Sequence, residues 1–159
     1  MERSGSFTLP PNSDPKIREL FDYWLAIHPE AGLPGRQHLD PMDIPRLLPN
    51  IWMLDVKQDP LCFRFRLVGT EIVRFTGRDA TGLCLAEVYP DYKATEAYRV
   101  HCACARSGEP AYRRSGVLSN PGRRHIEAER LYLPLAENGE RVDILLIMTL
   151  YTGEPPPRQ

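Results

Sequence analysis

The segment His101-Cys102-Ala103-Cys104 holds the side chains with the widest chemical range in this sequence. A neutral imidazole can bind a metal ion, and a thiolate can be oxidised. Two residues apart on a helix, the two thiols point about 200° away from each other, so they cannot chelate one metal together. Redox sensing through one exposed thiol stays open for Cys102 and Cys104, but the pattern favours a role as small helix-filling residues.

Two further groups of charged residues are candidates for chemistry. Glu127 and Glu129 lie two apart and would share one face of a strand, so general acid–base catalysis is conceivable, although no nucleophile or second histidine is placed near them. Cross-strand ion pairing is the favoured role. A basic cluster could bind an acidic ligand or form a solvated hairpin end, and it comprises Arg113, Arg114, Arg123 and Arg124.

Composition narrows the function classes. The 159 residues carry a net charge of -1, which argues against a dedicated nucleic-acid binder, as does the lack of aromatic residues among the clustered arginines. No apolar run approaches the roughly 20 residues that cross a bilayer, and the start has no signal-peptide pattern. The spacings of Cys62, Cys84, Cys102 and Cys104 match no zinc pattern. We therefore expect a cytoplasmic protein with free thiols, no bound metal and no membrane segment.

Helical periodicity predicts one amphipathic helix near the start. Asp14-Pro15 provides a cap and a first turn, and His28-Pro29 ends the helix. Its apolar face must cover something, either the sheet of its own chain or a partner subunit. We predict flexible tails over residues 1–13 and 153–159 and a single domain over 14–152. The apolar face comprises Ile17, Leu20, Phe21, Trp24 and Leu25.

The remaining pattern predicts two strands, several short helices and one longer helix over 91–106, and then three strands. The strands are expected over residues 51–56, 62–68, about 112–118, 126–135 and 142–151, and a short helix over 70–76. The last strand is apolar on both sides, so it should be central and covered on both faces. This order predicts an α+β domain: an antiparallel sheet with helices on one face and the first helix as an addition.

This order, together with local motifs, resembles a family of short PAS-domain proteins common in alphaproteobacteria. The motifs span residues 40–49, 63–70, 77–82 and 129–135, and the resemblance covers about 38–150. It implies a PAS-like fold with a five-stranded antiparallel sheet and a general sensing or signalling role. It supplies no settled ligand and no catalytic residue.

In a PAS-like arrangement the short helices close over one sheet face and can enclose a ligand cavity. The residues expected to line it are Phe63, Phe65, Leu67, Tyr98, His101, Leu131 and Leu133. The resemblance also places His101 on the helix that supplies the haem ligand in haem-binding PAS sensors, so haem is considered, although a core histidine is favoured. The surface expected to meet a dimer partner comprises Ile17, Leu20, Phe21 and Trp24.

Three functions follow from these observations. The first is a stand-alone sensory or ligand-binding module that signals through an unidentified small molecule and a partner protein, or by forming a homodimer. The second is an interaction or dimerisation module whose cavity is filled by its own side chains. The third and least favoured is a small enzyme, because the sequence shows no catalytic constellation.

Overall fold

The structure is a computed structural model that describes residues 7–116 and 127–153. Its strands are β1 (Ile51–Lys57), β2 (Cys62–Val68), β3 (Ala111–Gly116), β4 (Glu127–Leu135) and β5 (Ile144–Tyr151). Its α-helices are α1 (Pro15–Ala26), α2 (Thr70–Thr76), α3 (Leu85–Val88) and α4 (Glu96–Ser107). Short 3-10 turns lie at Arg36–His38, Pro41–Asp43, Leu48–Asn50 and Tyr92–Ala94.

Strand β5 lies at the centre of the sheet, whose order is β2-β1-β5-β4-β3 with antiparallel pairs throughout. Ile147 lies opposite Trp52 of β1 on one side and opposite Tyr132 of β4 on the other. The first six residues of β5 are all buried. The predicted central strand with two covered faces is therefore confirmed, and the predicted α+β fold with a five-stranded antiparallel sheet is confirmed with it.

Helix α1 covers one face of this sheet, which we call the α1 face. The Asp14 carboxylate accepts a hydrogen bond from the Lys16 backbone and caps the helix, with Pro15 in the first turn. The Trp24 indole donates to the Pro134 carbonyl of β4 over 3.1 Å. The α1 face is built by side chains of α1, β1, β4 and β5, including Ile17, Leu20, Trp24, Met53, Leu131, Leu133, Leu146 and Met148.

The partner surface predicted on α1 is therefore wrong for three of its four residues. Ile17, Leu20 and Trp24 are buried against the sheet of their own chain, which leaves them unavailable to a second subunit. Phe21 is half-buried and stacks on Trp24 with ring centroids 6.1 Å apart. Helix α1 is held on the sheet of its own chain because its start and its Trp24 indole are both hydrogen-bonded to β4.

The predicted N-terminal tail is also wrong over residues 7–13. Leu9 is 8% exposed and belongs to the core beneath α1. Phe7 packs edge-to-face on Phe21 with centroids 5.5 Å apart. These two apolar side chains add to the cover over the α1 face. The remainder of the predicted tails, residues 1–6 and 154–159, lies outside the described residues.

The opposite face, which we call the lid face, is covered by α3, by the Tyr92–Ala94 turn and by α4. The predicted long helix divides here, because Thr95 caps α4 and breaks the run that begins at residue 91. The Thr95 hydroxyl accepts from the Tyr98 backbone over 3.2 Å. The buried side chains on this face include Leu54, Phe63, Phe65, Leu85, Tyr92, Cys102, Tyr132, Leu145 and Ile147.

A β-bulge in β2 changes which face its residues reach. Met53 pairs with Leu67 but Leu54 pairs with Phe65, so Arg66 is the extra residue between them. Phe65 therefore shares a face with Leu54, whereas Leu67 shares a face with Met53. Leu67 is 44% exposed there, and its predicted place in a cavity with Phe65 is wrong.

Other sequence-based expectations fall outside what can be described. The turn at 120–122 and the arginines at 123 and 124 lie in the undescribed segment between β3 and β4. Within the described residues, no helix combines the length and apolarity needed to cross a membrane.

Candidate functional site

His101 lies at the centre of the lid face, on the side of α4 that faces the sheet. It is 1% exposed. Helix α4 presents it because Thr95 fixes the helix start and Gly108, with φ of 70°, ends the helix in a left-handed turn that favours glycine. His101 thus occupies a rigid position between two capped helix ends.

Aromatic rings surround the imidazole. The centroid of the His101 ring lies 5.5–6.0 Å from the ring centroids of four aromatic residues. The distances are 6.0 Å to Trp52, 5.5 Å to Phe63, 5.8 Å to Tyr92 and 5.5 Å to Tyr132. These rings come from β1, β2, the turn before α4, and β4. We call His101, these four rings, Arg113 and Arg130 the His101 site.

One nitrogen of His101 is hydrogen-bonded and the other is not. The Tyr92 hydroxyl and His101 Nδ1 are 2.6 Å apart. Burial raises the pKa of Tyr92, so its phenol keeps its proton. We assign that proton to the hydrogen bond with Nδ1, which leaves the proton of the neutral ring on Nε2. Nε2 has no hydrogen-bond partner among the described residues. A buried donor in this state costs about 1–3 kcal/mol and favours a ligand that accepts from it.

The imidazole is also held neutral. Burial, together with the positive charges of Arg130 and Arg113, lowers the pKa of His101 to about 3. A neutral ring donates through Nε2 without bringing a third positive charge beside two arginines. The site therefore offers a neutral donor at physiological pH.

Arg113 and Arg130 lie directly opposite each other on β3 and β4. Like charges in this position destabilise a sheet. Arg113 donates to the Tyr132 hydroxyl over 3.4 Å and pairs with Glu96, whose side chain is exposed, over 3.3 Å. The half-buried Arg130 donates to the Ser115 hydroxyl over 3.1 Å and has no carboxylate within 4.0 Å in the described part of the chain.

Arg130 also lies beside two polar side chains of β5, Thr149 and Tyr151. Thr149 lies opposite it and accepts a hydrogen bond from the Trp52 indole over 2.9 Å. Tyr151 follows on the same face and stacks on Phe75 of α2 with centroids 4.3 Å apart. Burial raises the pKa of Tyr151 to about 12, although Arg130 opposes the rise. The floor beside His101 thus carries cations and hydroxyl groups.

The structure brings together some of the predicted cavity residues and separates others. Phe63 and Phe65 lie in one cluster with the half-buried Tyr98 packed against it, and His101 contacts Phe63. Leu131 and Leu133 lie beneath α1 on the opposite face, so their predicted place in the cavity is wrong. Adjacent strand residues alternate between faces, and Tyr132 between them is the residue that reaches the lid face.

Sequence reasoning missed Trp52, Tyr92 and Tyr132, and it did not assign Arg130 to the site. The period-two alternation around Leu131 and Leu133 could have identified Tyr132 and Arg130 as a pair on the other face. No comparable sequence signal marks Tyr92, because it lies in a short turn without periodicity.

The rings around His101 leave no space for a haem in the closed arrangement, because their centroids lie 5.5–6.0 Å from that of the imidazole. A haem bound through Nε2 would require the lid helices to separate from the sheet. The described residues also contain no group of three or more histidine, cysteine or acidic side chains arranged for a metal ion.

The two cysteines beside His101 are buried, so the alternative of an exposed redox thiol on α4 is wrong. Burial raises the pKa of Cys104 to about 12, which keeps its thiol protonated and unreactive. Cys102 and Cys104 both belong to the lid-face core, in agreement with the role of small packing residues.

Glu129 has a structural position away from the His101 site. Its Oε1 accepts from the Asp14 backbone and from the Tyr112 hydroxyl, each over 2.9 Å, and Oε2 pairs with Arg114 over 3.4 Å. This carboxylate therefore joins the start of α1 to β3 and β4. The expected ion pairing of Glu129 across strands is confirmed in its pair with Arg114.

We expect Glu129→Ala to reduce the free energy of unfolding by about 2 kcal/mol, because it leaves the Asp14 N–H and the Tyr112 hydroxyl without their acceptor at a largely buried position. Glu129→Gln keeps one acceptor oxygen and should cost less. Chemical denaturation measures both. Equal stability of Glu129→Ala and the wild type would contradict this role.

A five-stranded antiparallel sheet of order β2-β1-β5-β4-β3 with helices over one face is the PAS/LOV-like fold of sensory modules, and α1 adds a cover on the other face. The chain belongs to the PAS domain family, whose model matches residues 13–149. A solved structure of a Rhodobacter sphaeroides LOV protein is similar in fold, with a TM-score of 0.50 and 12% identity over 86% of this chain and 68% of that one. The search of curated proteins found no match. Membership supports a sensory signalling module in general, while the alphaproteobacterial subfamily stays a prediction.

Proposed function

We propose that this chain is a sensory PAS module that binds an anionic small molecule at the His101 site and signals through a partner protein or a second copy. The observation that carries the proposal is the placement of Arg113 directly opposite Arg130 on the lid face. Among the described residues the exposed Glu96 is the carboxylate that pairs with either of them. An anion would relieve the repulsion between the two guanidinium groups.

The surrounding residues favour an anion with a flat or apolar body. His101 Nε2 provides a buried donor that a ligand oxygen would satisfy. The rings of Trp52, Phe63 and Tyr132 provide apolar walls. Because these rings pack closely, the lid helices must separate from the sheet when a ligand enters. That movement is the change that a partner would detect.

Benzoate and its neutral analogue benzamide test the charge requirement. We expect benzoate at ten times its Kd to stabilise the protein by about 1.4 kcal/mol, which raises Tm by roughly 3–5 °C. Benzamide should give little shift, because it has the same shape without the charge. Arg130→Met should abolish the benzoate shift in thermal unfolding.

Arg99→Met is the matched control, since Arg99 is exposed on α4, and it should keep the full benzoate shift. Equal shifts with the two compounds, or a full shift in Arg130→Met, would refute the anion site. Native mass spectrometry of the purified protein would show whether a natural ligand is retained, and a sensory role for this site predicts one with a carboxylate or phosphate group.

The second candidate function is an interaction module that binds no ligand. The observation that favours it is the close ring packing around His101, which resembles a completed core. Light scattering tests this candidate together with the proposed homodimer. A strict monomer at micromolar concentration that also responds to benzoate would eliminate it.

A further inference from the structure

The second pair of cysteines lies at the edge of the sheet, far in sequence from Cys102 and Cys104. Cys62 begins β2 and Cys84 precedes α3, and their Sγ atoms are 3.0 Å apart. Both residues are free thiols and both are half-buried. A disulfide bond measures about 2.05 Å, so a movement of about 1 Å would join the two sulfur atoms.

Backbone hydrogen bonds hold the two sulfur atoms in this position. Arg64 forms an antiparallel bridge with Cys84, which places residues 82–84 alongside β2. The Phe65 N–H donates to the Leu83 carbonyl over 2.9 Å, and the Gly82 N–H donates to the Phe65 carbonyl over 2.7 Å. Pairing of the main chain therefore holds the backbones of the two cysteines next to each other.

The start of α3 gives Cys84 a further restraint. Its backbone N–H donates to the Glu87 carboxylate over 2.9 Å, which caps the helix. The hydrogen bond with Cys62, together with burial and the charge of the nearby Glu87, raises the pKa of Cys84 to about 11. While it is paired with Cys62, Cys84 keeps its proton at neutral pH, so we assign it the second step of an oxidation.

We propose that Cys62 and Cys84 form a reversible disulfide when the protein meets a peroxide. The Cys62 thiol releases its proton, and the thiolate attacks one oxygen of hydrogen peroxide. The O–O bond breaks to give a sulfenic acid and a hydroxide, and the hydroxide takes up the released proton and becomes water. The Cys84 thiol then loses its proton and attacks the Cys62 sulfur. The S–O bond breaks, and the departing hydroxide takes up a proton and leaves as water. In total one peroxide and two thiols give one disulfide and two molecules of water.

The disulfide would join β2 to the lid. The two cysteines are 22 positions apart, and the loop that they close contains α2. Oxidation would tie the start of α3 to the sheet edge and would restrict separation of the lid helices. This proposal rests on the geometry of the two cysteines and stands independently of any ligand at the His101 site.

Peptide mapping of the full chain tests the proposal. Trypsin places Cys62 in the peptide 58–64, Cys84 in 79–93, and both Cys102 and Cys104 in 100–106. After native peroxide treatment and alkylation in denaturant, we expect a cross-link between 58–64 and 79–93 that dithiothreitol reverses. The peptide 100–106 should remain fully alkylated and serves as the internal control. The oxidised protein should unfold roughly 5–10 °C higher than the reduced one.

Single variants test whether both thiols are needed. Cys84→Ser should leave a sulfenic acid on Cys62 that dimedone traps, and neither Cys84→Ser nor Cys62→Ser should form the cross-link. Circular dichroism confirms that each variant is folded before treatment. Absence of the cross-link in the folded wild type, or a cross-link that instead includes 100–106, would overturn the proposal.

Discussion

Replacing Trp24 with alanine should reduce the free energy of unfolding by about 3–5 kcal/mol, the usual cost of removing a buried tryptophan. Trp24 is 4% exposed and lies between α1 and the sheet. The substitution removes its large apolar surface and also leaves the Pro134 carbonyl without its donor. Urea denaturation followed by circular dichroism measures the change.

Two further variants separate the contributions at this position. Trp24→Phe keeps most of the buried ring but loses the hydrogen bond to Pro134, so it should cost less than Trp24→Ala. Leu25→Ala changes a partly exposed residue of the same helix and should cost little. If Trp24→Ala proves as stable as Leu25→Ala, then α1 does not cover the sheet of its own chain.

Lowering the pH should destabilise the protein through His101. The pKa of this ring is about 3 in the folded protein and about 6.5 when unfolded, because burial and the charges of Arg130 and Arg113 oppose protonation. The unfolded chain therefore takes up a proton as the pH falls through 6.5, while the folded chain does not. The contribution of His101 to the free energy of unfolding is fully present above pH 6.5 and is lost progressively as the pH falls to about 3. At pH 4 the loss is about 3 kcal/mol.

A histidine that cannot titrate isolates this effect. His101→Leu should show a pH dependence of unfolding that is flatter between pH 6.5 and 4 by about 3 kcal/mol, whatever its absolute stability. Parallel curves for His101→Leu and the wild type would show that His101 is accessible to protons in the folded state.

The order of the elements could be read from sequence because each signal was local. The cap at Asp14 and the apolar stripe of α1 act within one helix, and the two-faced apolar run of β5 predicts a central strand. The stop at Gly108 likewise needs no distant partner. Where one element determines its own boundaries, propensity and periodicity suffice.

The site was predicted less well because its membership depends on sheet register. One extra residue at Arg66 moves Leu67 to the α1 face, and no local pattern reveals this bulge. The sequence analysis also assigned the alternate residues of β4 to the wrong faces. It placed Leu131 and Leu133 on the lid face, which Tyr132 occupies instead. The contact between Cys62 and Cys84 depends on pairing across 22 positions, so spacing alone gave no sign of it.

The link between Glu129 and the start of α1 has a mechanical consequence. Glu129 holds the Asp14 backbone on the α1 face, and the next residue, Arg130, points to the opposite side of β4. A single peptide plane therefore separates Glu129, which binds the start of α1, from Arg130, which lies beside His101. If a ligand that binds Arg130 rotates this peptide plane, the Glu129 carboxylate and the start of α1 move with it. Binding on the lid face would then displace α1 on the opposite face directly through the sheet.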